Sequence, residues 1–258
     1  MAEQRLALVT GAASGLGAVL ACQLIGANYR VIAIDRDAAR ISAAIAHPNL
    51  VALGVDLADG ERIEALADAL AEPLDLVIHC AGTSCVGPFL HQAAAVLMPV
   101  YRVNLTAPIL LTNALMARGR LAPGSALVFV SSLSHYSGYP GAAMYAATKD
   151  GVTAYARALS VALAVRGVHV MIAFPGPIDT PHARTFAPPG SRRSARLSPE
   201  RVAAAIIAGV AQRRSRLVIG VGPNIARLIG LLWPNLMTRL MGRFLWPKLA
   251  LLNGTRRP

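Results

Sequence analysis

The chain has 258 residues with a formal net charge of +12; 55% of its residues are hydrophobic and only 5% aromatic, and the mean hydropathy is +0.50. That length suits one α/β domain with a large core. The basic balance favours acidic partners, but no nucleic-acid motif accompanies it and aromatics are few, so nucleic acid is not expected as a partner. Cys22, Cys80 and Cys85 lie in or beside apolar stretches without metal-ligand spacing. They read as buried thiols of a reducing compartment, and no metal is expected.

In chain order, RLALVTG (5–11) reads as a short buried strand entering a glycine-rich turn, and residues 15–27 as a helix. RVIAID (30–35) is a second strand, residues 37–46 a helix, NLVALGVDL (49–57) a third strand and ERIEALADALAE a helix. LDLVIHCAG (74–82), a long helical stretch over 90–118, and SALVFVSS (125–132) follow. A helix over 143–166, the strand GVHVMIAFPG (167–176), a helix over 199–213 and a last strand at RLVIG (216–220) complete the alternation. Strands alternating with helices predict a single-domain α/β fold of Rossmann type, a doubly wound parallel sheet of about seven strands. The domain is expected over residues 1–222. Within it, the Pro-, Gly- and Arg-rich stretch 177–199 is expected to be a mobile lid, and 223–258 is expected to be an amphipathic, basic extension.

TGAASGLG (10–17) sits between the first strand and the first helix. A glycine-rich turn there lets the backbone approach a pyrophosphate, and the helix start offers free N–H groups. Gly11, Gly15 and Gly17 suit these demands. Asp35 ends the second strand, where a carboxylate accepts hydrogen bonds from ribose hydroxyls and repels a 2′-phosphate. NAD is therefore expected over NADP, with Arg36 as the residue that could hold the phosphate instead. Asp56 ends the third strand and could bond an adenine amine or cap a helix.

Tyr145 and Lys149 stand one turn apart in YAATK, thirteen residues after Ser132. A free tyrosine ionises near pH ~10. A lysine at i+4 shares its helix face, and a nearby positive charge favours the phenolate. Such a phenol can act as a general acid or base. Asn104 falls inside the long helix, either for function or as a side-chain cap at a kink.

Taken together, TGAASGLG, Asp35, Ala81-Gly82, Asn104 in VNLTA, Ser132, YAATK and PGPIDT (175–180) make residues 5–220 resemble the short-chain dehydrogenase/reductase family, in its branch of about 250 residues. The resemblance implies an NAD(P)-dependent oxidoreductase. Tyr145 would be the proton donor or acceptor, and Ser132 would orient the reacting oxygen. Lys149 would lower the phenol and bond the nicotinamide ribose, and Asn104 would hold a water linking Lys149 to solvent. The cofactor would be held by Thr10, Gly11, Ser14, Gly15, Leu16, Gly17, Asp35, Arg36, Asp56, Leu57, Ala81, Gly82, Tyr145, Lys149, Pro175, Gly176, Ile178 and Thr180. A departure stands at His79-Cys80, where the family usually carries Asn-Asn. His79 reads as a hydrogen-bonded strand-end histidine, and cofactor affinity and local stability are what the change puts in question.

Ser134, His135, Tyr136, Tyr139 and Met144 are expected to line a substrate site, with Leu90, Phe186 and Leu197 as apolar walls. These side chains favour a hydrophobic secondary alcohol or ketone such as a steroid, retinoid or lipid. A 3-oxoacyl thioester held by Arg192, Arg193 and Arg196 is the second enzymatic reading, and a non-catalytic dinucleotide-binding or membrane-peripheral protein is a third. In the tail, NLMTRLMGRFLW reads as an amphipathic helix between Trp233 and Trp246. It either covers the pocket or packs on another subunit, or it contacts an anionic membrane. With no signal or transit segment at the start, a cytoplasmic and membrane-peripheral location is expected. The family resemblance implies a homodimer or homotetramer.

Overall fold

Leu6–Thr10 is buried at every residue and forms β1, and the later strands are nearly as apolar: β2 Arg30–Asp35, β4 Leu74–His79 and β6 His169–Pro175. Continuous apolar runs of this kind suit strands covered on both faces. With β3 Leu50–Gly54, β5 Leu121–Val130 and β7 Arg216–Ile219 they form one sheet in the order β3-β2-β1-β4-β5-β6-β7. All six pairings are parallel. This computed structural model describes residues 4–87, 92–186 and 193–247.

One face of the sheet is covered by α3 (Gly60–Ala69), α5 (Ala107–Ala117) and α7 (Ala143–Ala164), through Ile63, Leu111 and Val152 among others. The other is covered by α1 (Gly15–Gly26), α2 (Ala38–Ala44) and α9 (Pro199–Ala211), through Leu20, Ile41 and Val202. The strand order reverses between β1 and β4, which opens a crevice at their carboxyl ends, where α/β sheets bind ligands.

Three departures from the sequence reading matter. The stretch expected as one long helix is α4 (Ala94–Tyr101), a π turn (Arg102–Thr106) and α5, with Ala107 N–H reaching back to Arg102 O. By length and composition Ala94–Ala117 could cross a membrane, but Ala107, Leu111 and Leu115 are buried against the sheet, so it is a flanking helix. Next, β5 begins at Leu121 and carries a register shift against β4 between Leu74 and Leu76. It ends at Val130, so Ser131 and Ser132 lie just past its end. Last, the extension is a hairpin of two helices, α10 (Val221–Leu232) and α11 (Pro234–Phe244), which packs on the short α6 (Ser134–Ser137).

The base of the expected mobile stretch is stitched together. Ile178 bridges to Leu197, Asp179 N–H donates to Leu197 O at 2.9 Å and Leu197 N–H to Pro177 O at 2.8 Å. Asp179 also draws in Arg193 at 2.7 Å, Arg184 at 3.7 Å and Arg196 at 3.9 Å. Leu90, Arg192 and the rest of 88–91, 187–192 and 248–258 lie outside the described residues.

Candidate active site

A cleft of about 1010 Å³ runs along the carboxyl end of the sheet. Its nucleotide end is built by the first turn. Gly11 and Gly15 adopt φ of +75° and +56°, a region closed to most side chains. A Cβ on Gly11 would lie 2.7 Å from Ala81 Cα, and one on Gly17 would overlap Gly11 O. Gly15 faces Thr180, so the loop after β6 closes over the turn. This cradle, which any Cβ would fill, and the free start of α1 fit a dinucleotide pyrophosphate.

Asp35 is fixed at the far side of that turn. Its carboxylate accepts from Ala13 N–H at 3.2 Å and Arg36 N–H at 2.9 Å. Arg36 lines the cleft, and so does Arg40, which sequence reasoning passed over. Asp56 is on the wall as well and accepts from Ala58 N–H at 2.9 Å. The cap of α3 belongs instead to Asp59, which accepts from Glu61 and Arg62 N–H.

Ser14, Leu16, Leu57, Ala81, Gly82, Pro175, Gly176, Ile178 and Thr180 also line the cleft. Thr10 does not: it is buried, and its hydroxyl accepts from Cys80 and Ala81 N–H at 3.0 Å each. It shapes the cleft by pinning the end of β4 to the end of β1. His79 is sealed below the cleft, stacked on Phe129 at 4.8 Å and hydrogen-bonded to Thr112 Oγ1 at 2.9 Å. Burial pushes its imidazole down to about 3.

Ser132, Tyr145 and Lys149 meet in the middle of the cleft. Lys149 is buried and its Nζ donates to Val130 O at 2.8 Å. Burial pushes the ammonium down to about 8, with the Cys80 thiol opposing. Burial also pushes the Tyr145 phenol up, opposed by a hydrogen bond from Ser132. The direction is opposite to the lowering expected from Lys149, whose Nζ lies 5.8 Å from the Tyr145 ring centroid.

Asn104 sits in the π turn. Its Oδ1 accepts from Thr83 N–H at 2.8 Å, and Nδ2 donates to Thr83 O at 2.9 Å and Thr148 Oγ1 at 3.1 Å. The carboxamide thus clamps the loop after β4 to α7. A separate cavity of about 10 Å³ touches both Asn104 and Lys149, roughly the volume one water needs.

At the other end of the cleft, Ser134, Tyr139 and Phe186 line the wall as expected of substrate residues, together with Met241 and Leu245 of the C-terminal hairpin. Several of the expected residues do not. His135 turns away to Asp150 at 2.8 Å and stacks on Phe174. Tyr136 is buried on Phe174, Leu197 packs with the core, and Met144 is off the cleft wall. His182 of α8 (Pro181–Phe186), which sequence reasoning missed, lines the cleft with its ring centroid 6.5 Å from that of Tyr145. Its only sequence signal is its place two residues after Thr180.

A family model for short chain dehydrogenases matches residues 5–189. The chain belongs to the short-chain dehydrogenase/reductase family. It is an oxidoreductase acting on CH–OH groups. This dehydrogenase is 34% identical over 218 residues to the 1-deoxy-11-beta-hydroxypentalenate dehydrogenase of Streptomyces exfoliatus, covering 78% of each chain. It is 27% identical over 262 residues to the dehydrogenase/reductase SDR family member 7B of Danio rerio, covering 93% of this chain and 85% of that one. Its fold superposes with a TM-score of 0.80 on a short chain dehydrogenase from Burkholderia cenocepacia J2315 solved in complex with NADP, at 24% identity and covering 94% and 98% of the two chains.

Proposed function

We propose that this dehydrogenase interconverts a hydrophobic secondary alcohol and its ketone, with NAD as the preferred dinucleotide. The observation that carries this reading is the meeting of Ser132, Tyr145 and Lys149 in one cleft with the glycine cradle and an apolar wall from the C-terminal hairpin. When bound, a nicotinamide dinucleotide supplies or removes the hydride. The chain's own residues then handle the proton and hold the oxygen. Burial keeps the Tyr145 phenol neutral, so it is set to give its proton to a carbonyl oxygen, and the Ser132 hydroxyl supports the phenolate left behind. Lys149 would reach the nicotinamide ribose, and the small cavity between it and Asn104 would hold one relay water.

NAD is favoured over NADP because the Asp35 carboxylate is tied to two backbone N–H groups. Rotating it away from a 2′-phosphate would break both bonds, each worth about 1 kcal/mol. The 3-oxoacyl thioester reading loses support, since Arg193 and Arg196 already pair with Asp179.

The hairpin also supports a peripheral contact with anionic membrane. Ile225, Leu228, Leu231 and Leu232 on α10 are 52–57% exposed. Trp233 and Trp246 flank α11, which carries the exposed Arg239 and Arg243. Aromatic and cationic residues beside an apolar face suit a bilayer interface. A homodimer or homotetramer remains the assembly we propose on the family resemblance.

The decisive experiment screens hydroxysteroids, long-chain secondary alcohols, their ketones and 3-oxoacyl thioesters at the NADH absorbance. Turnover of apolar alcohols or ketones is expected. Turnover of thioesters alone, or of nothing in the panel, would contradict the reading.

A further inference from the structure

Around the phenol of Tyr145 the substrate end of the cleft is walled by Tyr139, His182, Phe186, Met241 and Leu245. The rings pack into one half-cage: Tyr139 meets Tyr145 edge-on at 6.4 Å, and His182 lies 6.5 Å from Tyr145 and 4.8 Å from Phe186. Most polar atoms on this wall are already spent. Tyr139 Oη donates to Phe186 O at 3.4 Å, the single Ser137 O–H has Gly138 O at 3.0 Å and Leu133 O at 3.3 Å as acceptors, and Thr185 Oγ1 donates to Pro181 O. His182 differs. Its ring makes the two aromatic contacts, but neither nitrogen hydrogen-bonds to the described residues.

A half-buried imidazole on the cleft wall with no partner among the described residues keeps its hydrogen-bonding capacity for whatever enters the cleft. We infer that His182 is a specificity-determining residue that hydrogen-bonds a second oxygen of the substrate while Tyr145 and Ser132 hold the reacting one. The inference rests on the proposed alcohol–ketone chemistry and narrows its substrate class. Preferred substrates are apolar molecules with two nearby oxygens, such as hydroxyketones, diketones or the corresponding diols, rather than simple ketones.

The local electrostatics select among such oxygens. Burial, with the Lys149 charge adding to it, holds the imidazole down to about 4. At neutral pH His182 is therefore uncharged, with one N–H to donate and one nitrogen to accept. A neutral hydroxyl or carbonyl satisfies either role.

A matched pair of ketones, identical except for one added hydroxyl or carbonyl beside the reacting centre, tests this. The wild-type enzyme should favour the oxygenated member, mainly through a lower KM. His182→Phe keeps an aromatic ring against Phe186 but removes both nitrogens. It should shrink the ratio of kcat/KM for the two ketones by about 3- to 10-fold, as the loss of one neutral hydrogen bond implies. His182→Gln should restore much of that ratio. A merely structural defect would lower both values together and leave the ratio alone. An unchanged ratio in His182→Phe, or no wild-type preference, would overturn the inference. Should neither ketone turn over, the proposed reaction fails, yet calorimetric binding of the same pair to both proteins still reads the anchor: equal discrimination would sink it.

Discussion

Tyr145 owes its ionisation to two opposing neighbours: an apolar surround that keeps the phenol neutral, and Ser132, which stabilises the phenolate. Ser132→Ala removes the second and should raise the pH at which the alcohol is oxidised, with kcat falling on the order of 10²-fold; a pH–rate profile reads both. His79 shows the same physics in a structural role. Its folded-state value is about 3, against about 6.5 when unfolded. Below pH ~6.5 the unfolded chain binds a proton that the folded chain refuses, so stability falls as pH drops toward 3. His79→Asn should flatten that acid limb by an amount on the order of a few kcal/mol near pH 4, measured by urea unfolding across pH. An unaltered slope would mean that His79 is not held neutral. At the other end of the cleft, Asp35→Asn removes a charge and should raise the NADPH-to-NADH ratio of kcat/KM by roughly tenfold. A wild-type enzyme already favouring NADPH would overturn the reading of Asp35.

Among the elements, the C-terminal hairpin has the clearest dependence on one residue. Gly230 of α10 lies so close to the backbone of Tyr136 in α6 that an added Cβ would overlap Tyr136 O. Gly230→Ala should therefore push α10 off α6, cost about 1–3 kcal/mol, and disturb the Met241–Leu245 wall. Thermal unfolding and the KM for apolar ketones check this, and a variant with unchanged Tm and KM would show that the hairpin is not seated there. Much of the core was legible in the sequence, because strands buried on both faces read as unbroken apolar runs, as LALVT and HVMIAFP do. The glycine turn, Asp35 and the Tyr-Lys spacing were legible for a different reason: each depends on local backbone or one helical turn. What was not legible depends on packing from elsewhere. The π turn at Asn104 leaves the apolar pattern nearly helical. Apolar residues sit on more than one side of α11, so its inward face, Met237, Met241 and Leu245, was not separable from the exposed Leu236 and Phe244. The sequence put His135 on the substrate wall and passed over His182, and only the fold sends the first to Asp150 and the second into the cleft.

Over the whole molecule, charge and hydrophobicity are unevenly placed. The α10 stripe of Ile225, Leu228, Leu231 and Leu232 is exposed, and α11, packed on α10, carries the exposed Arg239 and Arg243, in a chain whose net charge is +12. Leu228→Asp with Leu232→Asp should reduce co-sedimentation with anionic vesicles by roughly tenfold, and added salt should weaken the wild-type interaction. A full-length chain that ignores such vesicles would rule out the membrane contact. The chemistry stands apart from that question, since it depends on groups gathered from β5, α7 and the loops at the carboxyl end of one parallel sheet. Tyr145→Phe tests that gathering most directly, as it removes one oxygen and keeps the ring. NADH-dependent reduction of an apolar ketone should fall by about 10²- to 10⁴-fold, while NADH binding, followed by fluorescence, stays near the wild-type value. Turnover undiminished in Tyr145→Phe would contradict the account.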